Sequence, residues 1–282
     1  MRIAYYYCIS YNVNIKNILE RFSIKYKIVR PNEKSSDAYI TFTCFDNIVN
    51  WQEMKQYLPE CNSKWIEYSE IDLSKAEWLT MHSKNMKLNS KNDKTLEFSC
   101  LIEKKIDNFT QVGAHHQKQI APFYFNPVKW SNNNHFYSSY EGGTEIIFCD
   151  DYAKRITQEE KLTGIAFDKV MWYRKNIPLP AIHQLNITHM LPNDALILSE
   201  KAKETHCPSC GRKKYILDSL FQLKVKKEYM DNMTDFCKTE DLFGSGREHP
   251  LLLISQHVYD VFKSFGMIRN LVFEPVIIEK NQ

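Results

Sequence analysis

The apolar positions of this chain repeat. Residues 145–172 (EIIFCDDYAKRITQEEKLTGIAFDKVMW) and 251–278 (LLLISQHVYDVFKSFGMIRNLVFEPVII) lie 106 positions apart and superimpose without a gap. Ile146, Ile147 and Phe148 fall on Leu252, Leu253 and Ile254, and Ile165, Phe167 and Val170 fall on Leu271, Phe273 and Val276. A short apolar run, an amphipathic stretch and a second apolar run predict a strand–helix–strand unit in each segment. Asp150 or Asp151 in the first and Ser255 in the second can cap the helix by accepting an orphan backbone N–H. Tyr152 and Ile156 match Val258 and Phe262, four apart, so one helical face is buried. The short span makes the two strands of each unit parallel, with a right-handed crossover. Each copy follows a short aromatic and serine-containing stretch, Phe136-Tyr137-Ser138-Ser139 or Leu242-Phe243-Gly244-Ser245. A partial third echo, Ala195–Lys203 with Ser199 at the capping position, predicts a helix that runs into Cys207.

Upstream the periods alternate. Ile3–Ile9 predicts a strand, Ile15, Ile18, Leu19 and Phe22 a helix, and Tyr26–Val29 and Tyr39–Cys44 two further strands. Val49–Leu58 predicts a short helix with Trp51 and Met54 on one side, and Glu97–Ile106 a strand. Phe123 and Phe125 alternate as core strand residues do, whereas Ile177–Leu191, with its prolines, reads as a loop. The polar run Ser83–Thr95 reads as a linker or long loop. The chain is therefore expected to be α+β: an N-terminal α+β region, residues 1–90, followed by a C-terminal region, residues 91–282, with a duplicated strand–helix–strand unit.

Composition narrows the setting. No run approaches the roughly 20 apolar residues that span a bilayer, and the N-terminus lacks a signal-peptide core. A cytoplasmic protein without membrane association is expected. There, eight cysteines at irregular spacing read as thiols or metal ligands rather than disulfides. A net charge of +3 over 282 residues argues against a dedicated DNA-binding protein, whose phosphate contacts need a clustered basic face.

The chemical motif of the chain is Cys207-Pro208-Ser209-Cys210-Gly211, between the two repeats. Two thiolates separated by two residues can bind one tetrahedral ion, Pro fixes the turn, and Gly lets backbone N–H groups approach the sulfurs. The basic tail Arg212-Lys213-Lys214 favours thiolate formation. One structural zinc is expected, and four ligands are needed. Cys237 and His249 are the nearest candidates downstream, with His206, Cys61, Cys100 and Cys149 as further ones. Two other readings stand beside zinc: a redox pair, and a remnant motif with two thiols in a tight turn. His115-His116 is the most enzyme-like cluster elsewhere; adjacent side chains diverge, so a solvated or hydrogen-bonded pair is expected. Neither a Gly-x-Ser-x-Gly elbow nor a Gly-x-x-x-x-Gly-Lys loop occurs. Gly244-Ser245-Gly246 reads as a turn.

CPSCGRKKY (Cys207–Tyr215), DLFGSG (Asp241–Gly246) and the closing LLLISQHVYDVFKSFGMIRNLVFEPV (Leu251–Val276) resemble the double Cys-x-x-Cys-Gly family of immunity proteins from bacterial polymorphic-toxin systems. The family carries two such motifs, and this chain has the one at Cys207–Gly211. The resemblance implies an immunity protein that binds and neutralises a cognate toxin and does no chemistry itself. A different class stays open: a zinc-knuckle nucleic-acid-binding protein, with Arg212-Lys213-Lys214 and Lys224, Lys226 and Lys227, near Tyr215, Phe221 and Tyr229, as its contact face. A hydrolase or transferase using His115 or His116 is a third reading.

Overall fold

The computed structural model describes residues 1–30, 37–84, 88, 95–106, 109–130, 133–139, 146–244 and 248–280, and for 102–106 and 109–115 the backbone alone. Strand makes up 43% and helix 18%, which makes the protein mixed α+β. Its chain forms two compact units, Met1–Asp72 and Leu73–Gln282.

The first unit alternates β1 (Arg2–Ser10), α1 (Val13–Arg21), β2 (Tyr26–Val29), β3 (Tyr39–Phe45), α2 (Trp51–Lys55) and β4 (Ser63–Glu67). The strands form one antiparallel sheet in the order β2-β3-β1-β4. Period-2 alternation in β3 buries Ile40, Phe42 and Cys44, and these join Tyr7, Leu19, Trp51 and Met54 in one core. The Asn12 side chain caps α1 by accepting from the Asn14 N–H. A short helix, α3 (Glu70–Lys75), carries the chain across the division.

The second unit begins with β5 (Trp78–Ser83), followed by β6 (Leu96–Ile106), β7 (Phe109–Gln119), β8 (Tyr124–Phe125) and β9 (Phe136–Ser139). The first predicted unit is β10 (Ile146–Cys149), α4 (Asp151–Glu159) and β11 (Ile165–Trp172), trailed by β12 (Pro178–Ile187) and β13 (Met190–Leu191). Next come β14 (Ala202–His206), β15 (Lys213–Leu217), β16 (Lys224–Lys226) and β17 (Phe236–Thr239). The second predicted unit is β18 (Leu252–Ser255), α5 (Gln256–Ser264) and β19 (Leu271–Pro275), and β20 (Ile277–Glu279) ends the chain of elements.

Both segments thus adopt strand–helix–strand, and the caps are as expected. Asp150 accepts from the Ala153 N–H at 2.9 Å and Ser255 from the Val258 N–H at 3.4 Å. The strands of each unit are parallel, but they are not neighbours. One sheet runs β8-β11-β12-β10-β9 and the other β13-β17-β18-β5-β19. In each, an antiparallel strand separates the pair: β12 between β10 and β11, β5 between β18 and β19. The strand flanking β18 as β9 flanks β10 is β17, not Leu242–Ser245.

Helices α4 and α5 share one core, in which Ala153 and Ile156 pack with Val258, Tyr259, Val261 and Phe262. The two sheets touch reciprocally. Gly164, just before β11, lies against the Phe236 carbonyl of β17. Asn270, just before β19, donates from Nδ2 to the Phe136 carbonyl of β9 at 3.3 Å. Asp235 reinforces this seam by accepting from Thr163 N–H and Oγ1 at 2.9 and 2.8 Å and from Ser255 Oγ at 2.9 Å.

Three expectations need correcting. The chain divides at Asp72/Leu73 rather than near residue 90, because β5 is the inner strand of a C-terminal sheet. Ile177–Leu191 is not a loop: β12 tolerates Pro178 at its first position and absorbs Pro180 beside a register shift and a left-handed Ala181 (φ 60). Ala195–Lys203 is no helix; its apolar residues serve a 3-10 turn, an isolated bridge from Leu196 to Val225, and the start of β14. Much of Ser83–Thr95, and Ser245-Gly246, lie outside the described residues. Among the described residues no helix is long and apolar enough to cross a membrane.

Candidate metal centre

Two hairpins of the second unit converge on one cluster. In the first, β14 pairs with β15 from Ala202↔Leu217 to His206↔Lys213, so Cys207–Arg212 is the tip of a hairpin, not the end of a helix. The Cys207 N–H donates to the Arg212 carbonyl at 2.8 Å, and the Gly211 N–H donates back to the Cys207 carbonyl at 2.9 Å. Gly211 is left-handed (φ +74), a conformation that favours glycine, and this closes the turn.

The second hairpin is β6–β7. Ser99 stands opposite His116, and Leu101 opposite Ala114. Cys100 between them is left-handed (φ 53), which breaks the in–out alternation of the strand. Its thiol consequently reaches the same side as the imidazole on the facing strand. Ligand atoms of Cys100, His116, Cys207 and Cys210 all lie within 4.8 Å of one another. These four side chains could hold a metal ion.

Electrostatics suits the role. Burial opposes charge at Cys207, but N–H groups of Cys210 and Ser209 and the Cys210 and His116 side chains outweigh it, taking the thiol down to about 6. Cys100 is pushed up to about 11, by burial and then by its hydrogen bonds to the Cys210 and Cys207 sulfurs. Thiols crowded in this way titrate one after another, and a cation would discharge them together. His116 is 4% exposed. Its Nε2 sits 3.1 Å from the Cys210 sulfur, while Nδ1 faces Glu248 Oε1 at 2.7 Å. A carboxylate on the far nitrogen fixes the tautomer and ring plane of a metal-binding histidine. Glu248 is in turn held by Arg212 Nη1 at 2.6 Å. Arg212, next to the knuckle glycine, therefore reaches the carboxylate behind the imidazole.

Of the expected ligands, Cys207 and Cys210 belong to the cluster and Cys237 and His249 do not. Cys237 is fully buried in β17 among Trp78, Leu253 and Phe243, and burial pushes its thiol up to about 12. His249 is committed through its backbone to Phe243 and borders a neighbouring cleft. Cys100 stood among the further candidates; His116 was expected to be solvated or hydrogen-bonded, not a ligand. The signal for both was the pair of strands itself: β6 and β7 pair antiparallel from Leu96↔Gln119 to Ile106↔Phe109, and this brings Cys100 and His116 together. The His115 side chain lies outside the described residues. No protein-family model, curated protein or solved structure matches this chain.

Proposed function

We propose that this chain is an immunity protein that binds a cognate protein toxin and neutralises it by occlusion, its C-terminal unit locked by one structural zinc ion. The observation that carries the reading is the completion of the Cys207–Cys210 knuckle by Cys100 and His116. The resemblance to the double-motif immunity family calls for two ligand pairs, and this chain has a second pair of different spelling. Three thiolates and an imidazole are a ligand set for zinc, and four protein ligands leave no position for substrate, which marks a structural rather than a catalytic site. With metal–sulfur bonds of about 2.3 Å, tetrahedral ligands stand about 3.8 Å apart, so the cluster needs only slight contraction.

The nucleic-acid reading has less support. Beside the knuckle, Arg212 engages Glu248, Lys213 engages Glu204 at 2.9 Å, and Lys214 is 2% exposed. Further on, Lys224 pairs with Glu279 at 2.6 Å and Lys227 with Asp231 at 3.7 Å. A run whose charges are already answered offers little to phosphates.

The test is coexpression of this chain with the neighbouring open reading frame. Survival of otherwise poisoned cells, with copurification of the two products, is the expected result. Death regardless, or a harmless neighbour, would overturn the immunity reading. Zinc content of the purified chain, expected at one per chain, tests the metal separately.

A further inference from the structure

A cleft of about 1110 Å³ lies within the second unit, between its two five-stranded sheets and the Leu217–Leu223 segment. Its walls include His82 of β5, Asp168 of β11, Lys238 of β17 and Glu274 of β19. All four are half-buried. Among the described residues none of their side chains makes a hydrogen bond or an ion pair, with each other or with anything else; burial, and then the charge of Lys84, hold His82 below its ordinary value. Burial pushes Glu274 up and Lys238 down, each toward its neutral form. A folded chain normally pairs such groups or leaves them in water. Gln119 and Gln184, which also line it, exchange amide hydrogen bonds at 3.0 and 2.7 Å, and each side-chain oxygen keeps a second lone pair. Ile120, Phe221 and Leu223 supply apolar wall.

We propose that this cleft is a binding site for an extended peptide segment that carries both a basic and an acidic side chain. Glu274 and Asp168 receive the basic group, Lys238 the acidic one, and the amide pair of Gln119 and Gln184 meets the peptide backbone. Charge complementarity selects this occupant. Three carboxylates, Asp168, Asp218 and Glu274, disfavour a polyanion such as a nucleic acid, and two lysines, Lys169 and Lys238, disfavour a polycation. The volume exceeds the roughly 300–1,000 Å³ of drug-sized ligand sites, as a segment of several residues requires. Opposite charges that share a cavity without pairing are held apart, and a ligand spanning them gains both contacts while ending their isolation. The inference is independent of the neutralisation reading, since it needs no toxin.

The probe is a pool of random hexapeptides passed over the immobilised full chain, with retained peptides sequenced by mass spectrometry. The expected retained set is enriched in peptides bearing both charge types. Glu274→Gln lowers retention of the Lys- and Arg-bearing members at least tenfold, and Lys238→Met does the same for the Asp- and Glu-bearing members. Both variants melt at or above the parent temperature, because each removes a desolvated, unpaired charge. No enrichment over an unrelated immobilised protein, retention untouched by either substitution, or melting below the parent would overturn the proposal.

Discussion

Severing the β6–β7 hairpin from the knuckle tests the metal centre most directly. The double variant Cys100→Ser/His116→Gln removes two of the four clustered ligands and leaves an amide opposite Glu248. The two ligand pairs are separated by about 90 residues of chain. Treated as a cross-link, an ion bridging them restricts the unfolded chain by about 4–5 kcal/mol. Unfolding entropy of about 2.1 cal/mol/K per residue, over about 210 residues in Leu73–Gln282, converts this into a fall in Tm of about 10 °C. The assay is calorimetric melting beside metal analysis, with Cys8→Ser in the first unit as a control. Metal content should drop well below one per chain, and chelation of the parent should reproduce the shift. A double variant that keeps a full equivalent of metal and melts within about 2 °C of the parent would refute the reasoning.

Glu248→Gln should weaken metal affinity by about 10–100-fold, because it removes the carboxylate that orients His116, while leaving the chain folded; competition with a chromophoric chelator measures it. Gly164→Ala should destabilise by about 3 kcal/mol or more, since the residue is left-handed (φ +82) and a Cβ would collide with the Phe236 carbonyl and the Thr234 side chain; denaturant titration reads the loss. Burial alone would raise the Asp235 carboxyl, but hydrogen bonds from Thr163 and Ser255 prevail and hold it below the ordinary carboxylate range. A carboxylate depressed in the folded state adds stability above its unfolded pKa of about 4 and loses it as pH falls through the folded value. The parent should therefore lose more stability than Asp235→Asn on acidification below about pH 4; parallel loss in both would contradict the assignment.

What was legible in the sequence was local. Asp150 and Ser255 announce their helices by chemistry at one position, and Ile156 and Phe262 announce the buried face by a four-residue step. What escaped depends on partners far along the chain. Nothing near Trp78 says that β5 pairs with Leu253 and Phe273, since an inner strand is defined by its neighbours. The polar run after it resembles a domain linker, which is why the division was expected there. Cys100 and His116 hide for a related reason: neither has a ligand partner at motif spacing. Only the backbone strain at Cys100 turns a strand cysteine toward the imidazole. The apolar run of Ala195–Lys203 shows the converse error, where composition mimics a helix and tertiary bridges claim its residues one by one.

The placement of β5 has a consequence for synthesis. The sheet β8-β11-β12-β10-β9 is assembled from chain emerging within one continuous stretch, so it can close while the ribosome is still working. The other sheet has to wait. Its inner strand β5 is made well before its neighbours, with hydrogen-bonding edges on both sides, and its two partners β18 and β19 arrive only once Leu252 and the residues after it are translated. Until then β5 is an open template for strange strands, and the late closure is a long-range step of the slow kind. The protein's exposure to misassembly is therefore set by the time the ribosome needs to travel from Ser83 to Leu252.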